Sequence, residues 1–195
     1  MILNPHKLSE NFIKKKLTLI KEGSLNLTNY DGSNNKYGKI NSKIKADIEI
    51  NNLLNELLKK QNPNFGWLSE ENEDDRSRLE KEITFVVDPL DGTKAFLEGK
   101  KEFSISVALV KNGKPISGIV YSPSTEEMFE AEKEKGSWKN KKRIRISNFK
   151  TLAGCKILAF KPMFSHPSWD EKWPEMEVDN KNSIAYRMAL VASGQ

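Results

Sequence analysis

Residues Ile83-Thr84-Phe85-Val86-Val87 form an apolar, β-branched run that stops at Asp88-Pro89-Leu90-Asp91-Gly92-Thr93. The run reads as a buried strand, and the proline and glycine end it in a tight turn. Such a strand needs a sheet around it, and it holds both carboxylates on rigid backbone at the sheet's edge. Two anions so close repel each other unless a cation lies between them. The same residues therefore constrain fold and chemistry together. Asp-Pro-x-Asp-Gly is also good turn chemistry by itself; the strand before it, Thr93 after it and the acid upstream point beyond a turn.

The flanking sequence supplies the sheet. Phe65 to Ser69 reads as a short strand leading into Glu70-Glu71. Phe103 to Val110 and Ile116 to Tyr121 flank Lys111-Asn112-Gly113-Lys114, a strong hairpin signal. Glu127 to Ala131, Gly136 to Trp138 and Ile144 to Ile146 (around Lys139-Asn140-Lys141-Lys142), and Lys156 to Phe160 add further strands. Three segments have helical spacing: Leu8 to Leu25, Ile44 to Lys60 and Ile184 to Ala192, with a Gly/Asn-rich loop expected at Asn26 to Asn41. In the second helix Ile44, Ile48, Leu53, Leu54, Leu57 and Leu58 are expected on the buried side, and Asn62-Pro63 closes it. Asp47 falls in its expected first turn, where a carboxylate can simply complement the helix dipole. The pattern implies an α+β, layered fold in which an N-terminal helix pair packs on a mainly antiparallel sheet. At 195 residues, with no repeat or linker, the expectation is a single domain over 1–195.

Composition narrows the setting. The apolar runs are strand-sized and the start, Met1 to Glu10, has no basic-then-apolar signal pattern, so a cytoplasmic protein without a membrane partner is expected. Cys155 is the only cysteine, which excludes an intrachain disulfide, and it reads as a small core residue. Net charge is +5, unevenly spread: Glu70 to Glu82 is acidic, while Lys133 to Arg145 carries seven basic groups around Trp138. That basic stretch reads as a hairpin with a solvated lysine-rich turn, not as a nucleic-acid surface.

Glu70, Asp88 and Asp91 are three acids at strand ends. Oxygen donors with no Cys or His cluster suit a hard cation, and Mg²⁺ is the metal expected, with Leu90 offering its carbonyl. The two aspartates could flank a pair of ions, the arrangement that clamps attacking and leaving oxygens in phosphoryl displacement. Gly92 lets a phosphate approach the main chain, and the N–H groups of Gly92 and Thr93 can donate to it.

At these residues the chain resembles the inositol monophosphatase family of Mg²⁺-dependent, lithium-sensitive phosphatases. Ser69-Glu70-Glu71 is similar to the family's Gly/Ser-Glu-Glu motif, and residues 88 to 93 match its Asp-Pro-Leu/Ile-Asp-Gly-Thr without a change. The resemblance continues through Phe103 to Val110, Gly118 to Pro123, the Gly136 to Ser147 hairpin and Ser183 to Gly194. It implies metal ligands at Glu70, Asp88, Asp91 and the Leu90 carbonyl. It implies that Thr93 positions an attacking water, paired with Asp47, and that Asp91, Gly92, Thr93 and Ser183 meet the substrate, a small phosphorylated metabolite. Lys94, in Asp-Gly-Thr-Lys-Ala-Phe, resembles the branch that removes the 3′-phosphate from adenosine 3′,5′-bisphosphate; inositol 1-phosphate is the alternative substrate. A homodimer is what the family suggests.

Two departures matter. Ile44 stands where the family often has threonine. Family members also continue past the helix that ends near Gln195, into a sheet region with a Trp-Asp motif that completes the metal site. Trp169-Asp170 precedes the Ser183 helix and is not that motif. The C-terminal sheet region is therefore expected to be missing, and an inactive relative that binds metal or phosphate without turnover is the competing reading. A nucleic-acid-binding module is the third; it would bind with steep salt dependence and without Mg²⁺.

Overall fold

A computed structural model describes residues 36–195, with side chains from Ala46 onward except Gln61. The helix expected at Leu8 to Leu25 lies outside these residues. Helix α1 spans Lys36–Gln61, so the loop expected to reach Asn41 has already given way to helix at Lys36. Continuing an existing helix adds one hydrogen bond per residue fixed, which outweighs the roughly 1 kcal/mol penalty of Gly38. Asp47 consequently sits about three turns inside α1, beyond the first-turn range of the dipole, and is buried. The buried face of α1 is Ala46, Ile50, Leu54 and Leu58, with Asp47 and Asn51 beside it. Ile48, expected inside, is 41% exposed, and Leu53 and Leu57 are half-buried. Asn62 ends the helix, its backbone and side-chain N–H groups both donating to Leu58 O.

The strands follow: β1 (Gly66–Ser69), β2 (Ile83–Asp91), β3 (Ser104–Lys111), β4 (Lys114–Ser122), β5 (Glu127–Glu132), β6 (Gly136–Lys139) and β7 (Lys142–Arg143), in one sheet ordered as in the chain. All neighbours are antiparallel except β1, which runs parallel to β2. The two tightest hairpins turn on residues with positive φ, Asn112-Gly113 and Asn140-Lys141, the backbone that matches strand twist. Lysines of the basic β5–β7 region pair locally: Lys135 with Glu132, Lys133 with Glu134 and Lys139 with Glu127.

Side chains alternate across the sheet and create two cores. On one face Phe85, Val87, Ile105, Val107, Leu109, Tyr121 and Met128 pack against Ile50, Leu54 and Leu58 of α1. On the other, Phe129 packs with Tyr186, Ala189 and Leu190 of α3 (Ile184–Ala192). The sheet is thus sandwiched between α1 and α3. A five-residue helix α2 (Thr93–Leu97) leaves the end of β2 and touches α1. A separate two-stranded parallel sheet pairs β8 (Lys156–Leu158) with β9 (Glu177–Asp179), a strand too short and acidic to show in the sequence. Cys155 is half-buried and free, not a core residue. Trp169 lies in the loop before β9, with Trp173 edge-on at 5.1 Å and its indole N–H on Met163 O at 2.7 Å. Among the described residues no helix is long and apolar enough to cross a membrane.

Candidate metal and phosphate site

In a regular strand Asp88 and Asp91, an odd number of residues apart, would point to opposite faces. The structure resolves this with a β-bulge: Asp88 pairs with Ser106 and Asp91 with Ser104, so Pro89 and Leu90 face the single residue Ile105. The extra residue shifts the alternation by one, and both aspartates fall on the face of Ser104 and Ser106, opposite to that of Ile105. Pro89 fits here because the bulge asks no ladder hydrogen bond of it. The parallel pairing of β1 brings the third acid in. Ser69 stands opposite Val87, so Glu70 follows beside Asp88.

The electrostatics reflect this crowding. Burial, then the negative charges of Glu70 and Asp91, push the Asp88 carboxyl up to about 7, partly opposed by the Leu90 N–H that donates to Asp88 Oδ1 at 3.1 Å. Asp91 is held differently. Its Oδ2 accepts from Ser183 Oγ at 2.5 Å and from the Ala185 backbone N–H at 2.6 Å, tying the end of β2 to the start of α3. Among the described residues no three His, Cys, Asp or Glu side chains already close around a common point. The donor chemistry nonetheless fits a hard divalent cation: carboxylates crowded enough to hold a proton near neutrality, and a Leu90 carbonyl on the same bulge.

Ser183 is the N-cap of α3 and is fully buried. A hydroxyl has one proton and two lone pairs, and each has a partner here. The proton goes to Asp91 Oδ2; the lone pairs accept from Tyr186 N at 3.0 Å and, since the Ser183 proton is already used, from Ser104 Oγ at 2.9 Å. Gly92 has φ +90°, and a Cβ there would lie 2.6 Å from Glu102 O and 3.0 Å from Ser183 Cβ. Protein atoms therefore already require glycine at this position, whatever approaches its main chain.

Thr93 opens α2 with its hydroxyl donating to Leu90 O at 3.1 Å. Passing that single proton to Asp47, on the neighbouring α1, requires the hydroxyl to turn away from Leu90. Lys94 is exposed beside Thr93. The bulge, the parallel β1 pairing and the tie from Asp91 to α3 join Glu70, Asp88, Leu90, Asp91 and Ser183 in one region. Asn72 carries no signal in the sequence: its Oδ1 accepts from Asn51 Nδ2 at 2.8 Å and Trp67 Nε1 at 3.1 Å, just past Glu70.

Comparison with known proteins gives this geometry its context. The family model described as "Inositol monophosphatase family" matches residues 11–195. The chain is similar to the inositol-1-monophosphatase of Rhizobium meliloti (strain 1021), 37% identical over 112 residues that make up 57% of this chain and 42% of the relative. It is also similar to the Nus factor SuhB of Xylella fastidiosa (strain Temecula1 / ATCC 700964), 37% identical over 100 residues, 51% of this chain and 35% of the relative. The solved structure of the Thermotoga maritima IMPase superposes with a TM-score of 0.66 at 27% identity, covering 76% of this chain and 58% of that one. The chain thus spans about two fifths of the length of the curated relatives it matches. With the family model matched over nearly the whole chain, and the acidic motifs brought together at the adjacent ends of β1 and the bulged β2, the chain belongs to the inositol monophosphatase family.

Proposed function

We propose that this chain is a Mg²⁺-dependent phosphate monoester hydrolase acting on a small phosphorylated metabolite. The observation that supports this most is the bulge that sets Asp88 and Asp91 on one face, next to Glu70. Glu70, Asp88, Asp91 and the Leu90 carbonyl are the residues that would hold the ion. When bound, Mg²⁺ supplies Lewis acidity that lowers the pKa of water and offsets phosphate charge. Thr93 orients the attacking water; Asp47 accepts the threonine proton and so frees the hydroxyl oxygen to accept from water. Direct attack needs no covalent intermediate. Asp91, Gly92 and Thr93 line the approach to the phosphate; Ser183, expected there too, is buried with its hydroxyl fully used and acts by holding Asp91.

Two substrates fit. The exposed Lys94 next to Thr93 favours a second phosphate, as in adenosine 3′,5′-bisphosphate. The inositol-1-monophosphatases among the relatives favour inositol 1-phosphate. A cytoplasmic, homodimeric enzyme completes the reading. The test is phosphate release from each compound, with and without Mg²⁺, for the chain and for Asp91→Asn. Mg²⁺-dependent release that Asp91→Asn abolishes supports the mechanism, and release indifferent to Asp91→Asn overturns it. Mg²⁺ binding with no release from either compound supports the competing reading, a relative that binds without turnover.

A further inference from the structure

Glu70 lies on a turn whose two ends are fixed by different parts of the fold. Ser69 is the last residue of β1, in register with Val87, and its Oγ accepts from Glu71 N at 3.3 Å. Asn72 N closes the turn on Ser69 O at 3.3 Å. The far end is anchored through the Asn72 side chain. An indole N–H can only donate, so the Trp67 contact at 3.1 Å identifies the Asn72 atom as its oxygen. Asn51 must then present its amide N–H₂ to that same oxygen, at 2.8 Å.

This arrangement leaves Asn51 Oδ1 buried and without a hydrogen bond among the described residues, in a side chain only 1% exposed. Stability alone gives no reason to keep a buried amide half-satisfied; such violations concentrate where geometry serves function. The placement supplies that reason. Trp67 stands in register with Phe85, its ring 6.1 Å from the Phe85 ring, on the sheet face that packs against α1. Glu70 follows on the opposite face, beside Asp88. Asn72 thus grips the turn from the α1 side and presents Glu70 on the other.

We propose that Asn72, held by Asn51 and Trp67, is a positioning residue that fixes Glu70 for divalent-cation binding; the inference rests on the metal-dependent reading above. Groups that orient a metal's ligands change affinity by about 10- to 100-fold when removed. The experiment is calorimetric titration of Mg²⁺ into the wild-type chain, Asn72→Ala, Asn72→Asp and Trp67→Phe, with phosphate release measured in parallel. Asn72→Ala is expected to weaken Mg²⁺ binding about 10-fold. Asn72→Asp keeps an oxygen for both donors at an exposed position and is expected to stay within about 3-fold of wild type. Trp67→Phe removes one donor and keeps the ring, so it reports even if Asn72→Ala fails to fold; its expected loss is about 3-fold.

Unchanged Mg²⁺ affinity in both Asn72→Ala and Trp67→Phe, with only lowered thermal stability, overturns the proposal and makes the contact structural. A wild-type chain that binds Mg²⁺ but releases no phosphate overturns the hydrolase reading alone, and the ratio of dissociation constants still decides the role of Asn72. A wild-type chain that binds no Mg²⁺ overturns both.

Discussion

Ser183→Ala is the substitution whose consequence follows most completely from the hydrogen-bond geometry. The hydroxyl is fully buried with all three of its hydrogen-bonding positions used, toward Asp91, Tyr186 N and Ser104. Losing an N-cap costs about 1 kcal/mol. Losing a hydrogen bond to a charged acceptor costs about 1.5–3 kcal/mol, although Asp91 keeps the Ala185 N–H. Ser104 is left as a fully buried hydroxyl stripped of its partner, a further cost of about 1–3 kcal/mol. The three effects share atoms and do not add, so a net loss of about 3 kcal/mol is expected, a large part of a typical domain's 5–15 kcal/mol. Urea unfolding of Ser183→Ala, Ser104→Ala and the double variant measures it. The double variant should be no worse than Ser183→Ala alone, because removing Ser104 Oγ removes the orphan. A loss below about 0.5 kcal/mol for Ser183→Ala, or strict additivity of the two, would refute the reasoning.

Gly92→Ala places a Cβ 2.6 Å from Glu102 O at φ +90° and should cost well over 1 kcal/mol in urea unfolding; a neutral result would show that the β2–α2 junction shifts freely. The Asp88 carboxyl, raised to about 7 by burial and its anionic neighbours, contributes stability fully present below the unfolded value near 3.8 and lost as pH rises through about 7. In chelator, the wild-type Tm should therefore fall over that window relative to Asp88→Asn; parallel curves would contradict the assignment. Tyr186 donates to Glu127, and burial together with that carboxylate raises the phenol to about 12. Its contribution is complete below pH 10 and lost as pH rises through about 12, so ultraviolet titration of the phenols should show one late group that Tyr186→Phe removes.

Much of this fold was readable because its strands are marked locally. Asn112-Gly113 must turn, and Ile83 to Val87 must be buried, whatever surrounds them. The α3 boundaries were readable for a similar reason: Ser183 caps and Ser193-Gly194 ends an apolar helix. What could not be read were features that exist only between segments. Nothing local says that Gly66 to Ser69 pairs parallel to β2, nor that Pro89-Leu90 forms a bulge; both are register facts, and register depends on the partner strand. In sequence Asp47 reads as a first-turn residue because Gly38 and Asn41 look like loop, while the helix carries through them. The site motif was plain in sequence, but the commitment of Asp91 Oδ2 to α3 joins residues 94 positions apart. Asn72 carried no signal, since its importance lies in what Asn51 and Trp67 do with its oxygen.

The β2 bulge and the parallel β1 pairing together assemble Glu70, Asp88 and Asp91 into a candidate cation site for phosphate hydrolysis. Phosphate release by wild type, Asp88→Asn and Glu70→Gln across a Mg²⁺ titration tests it most directly. Release should require Mg²⁺ and fall at least about 100-fold in both variants, as removal of a metal ligand should. Release that persists in chelator, or that survives both substitutions, would contradict it.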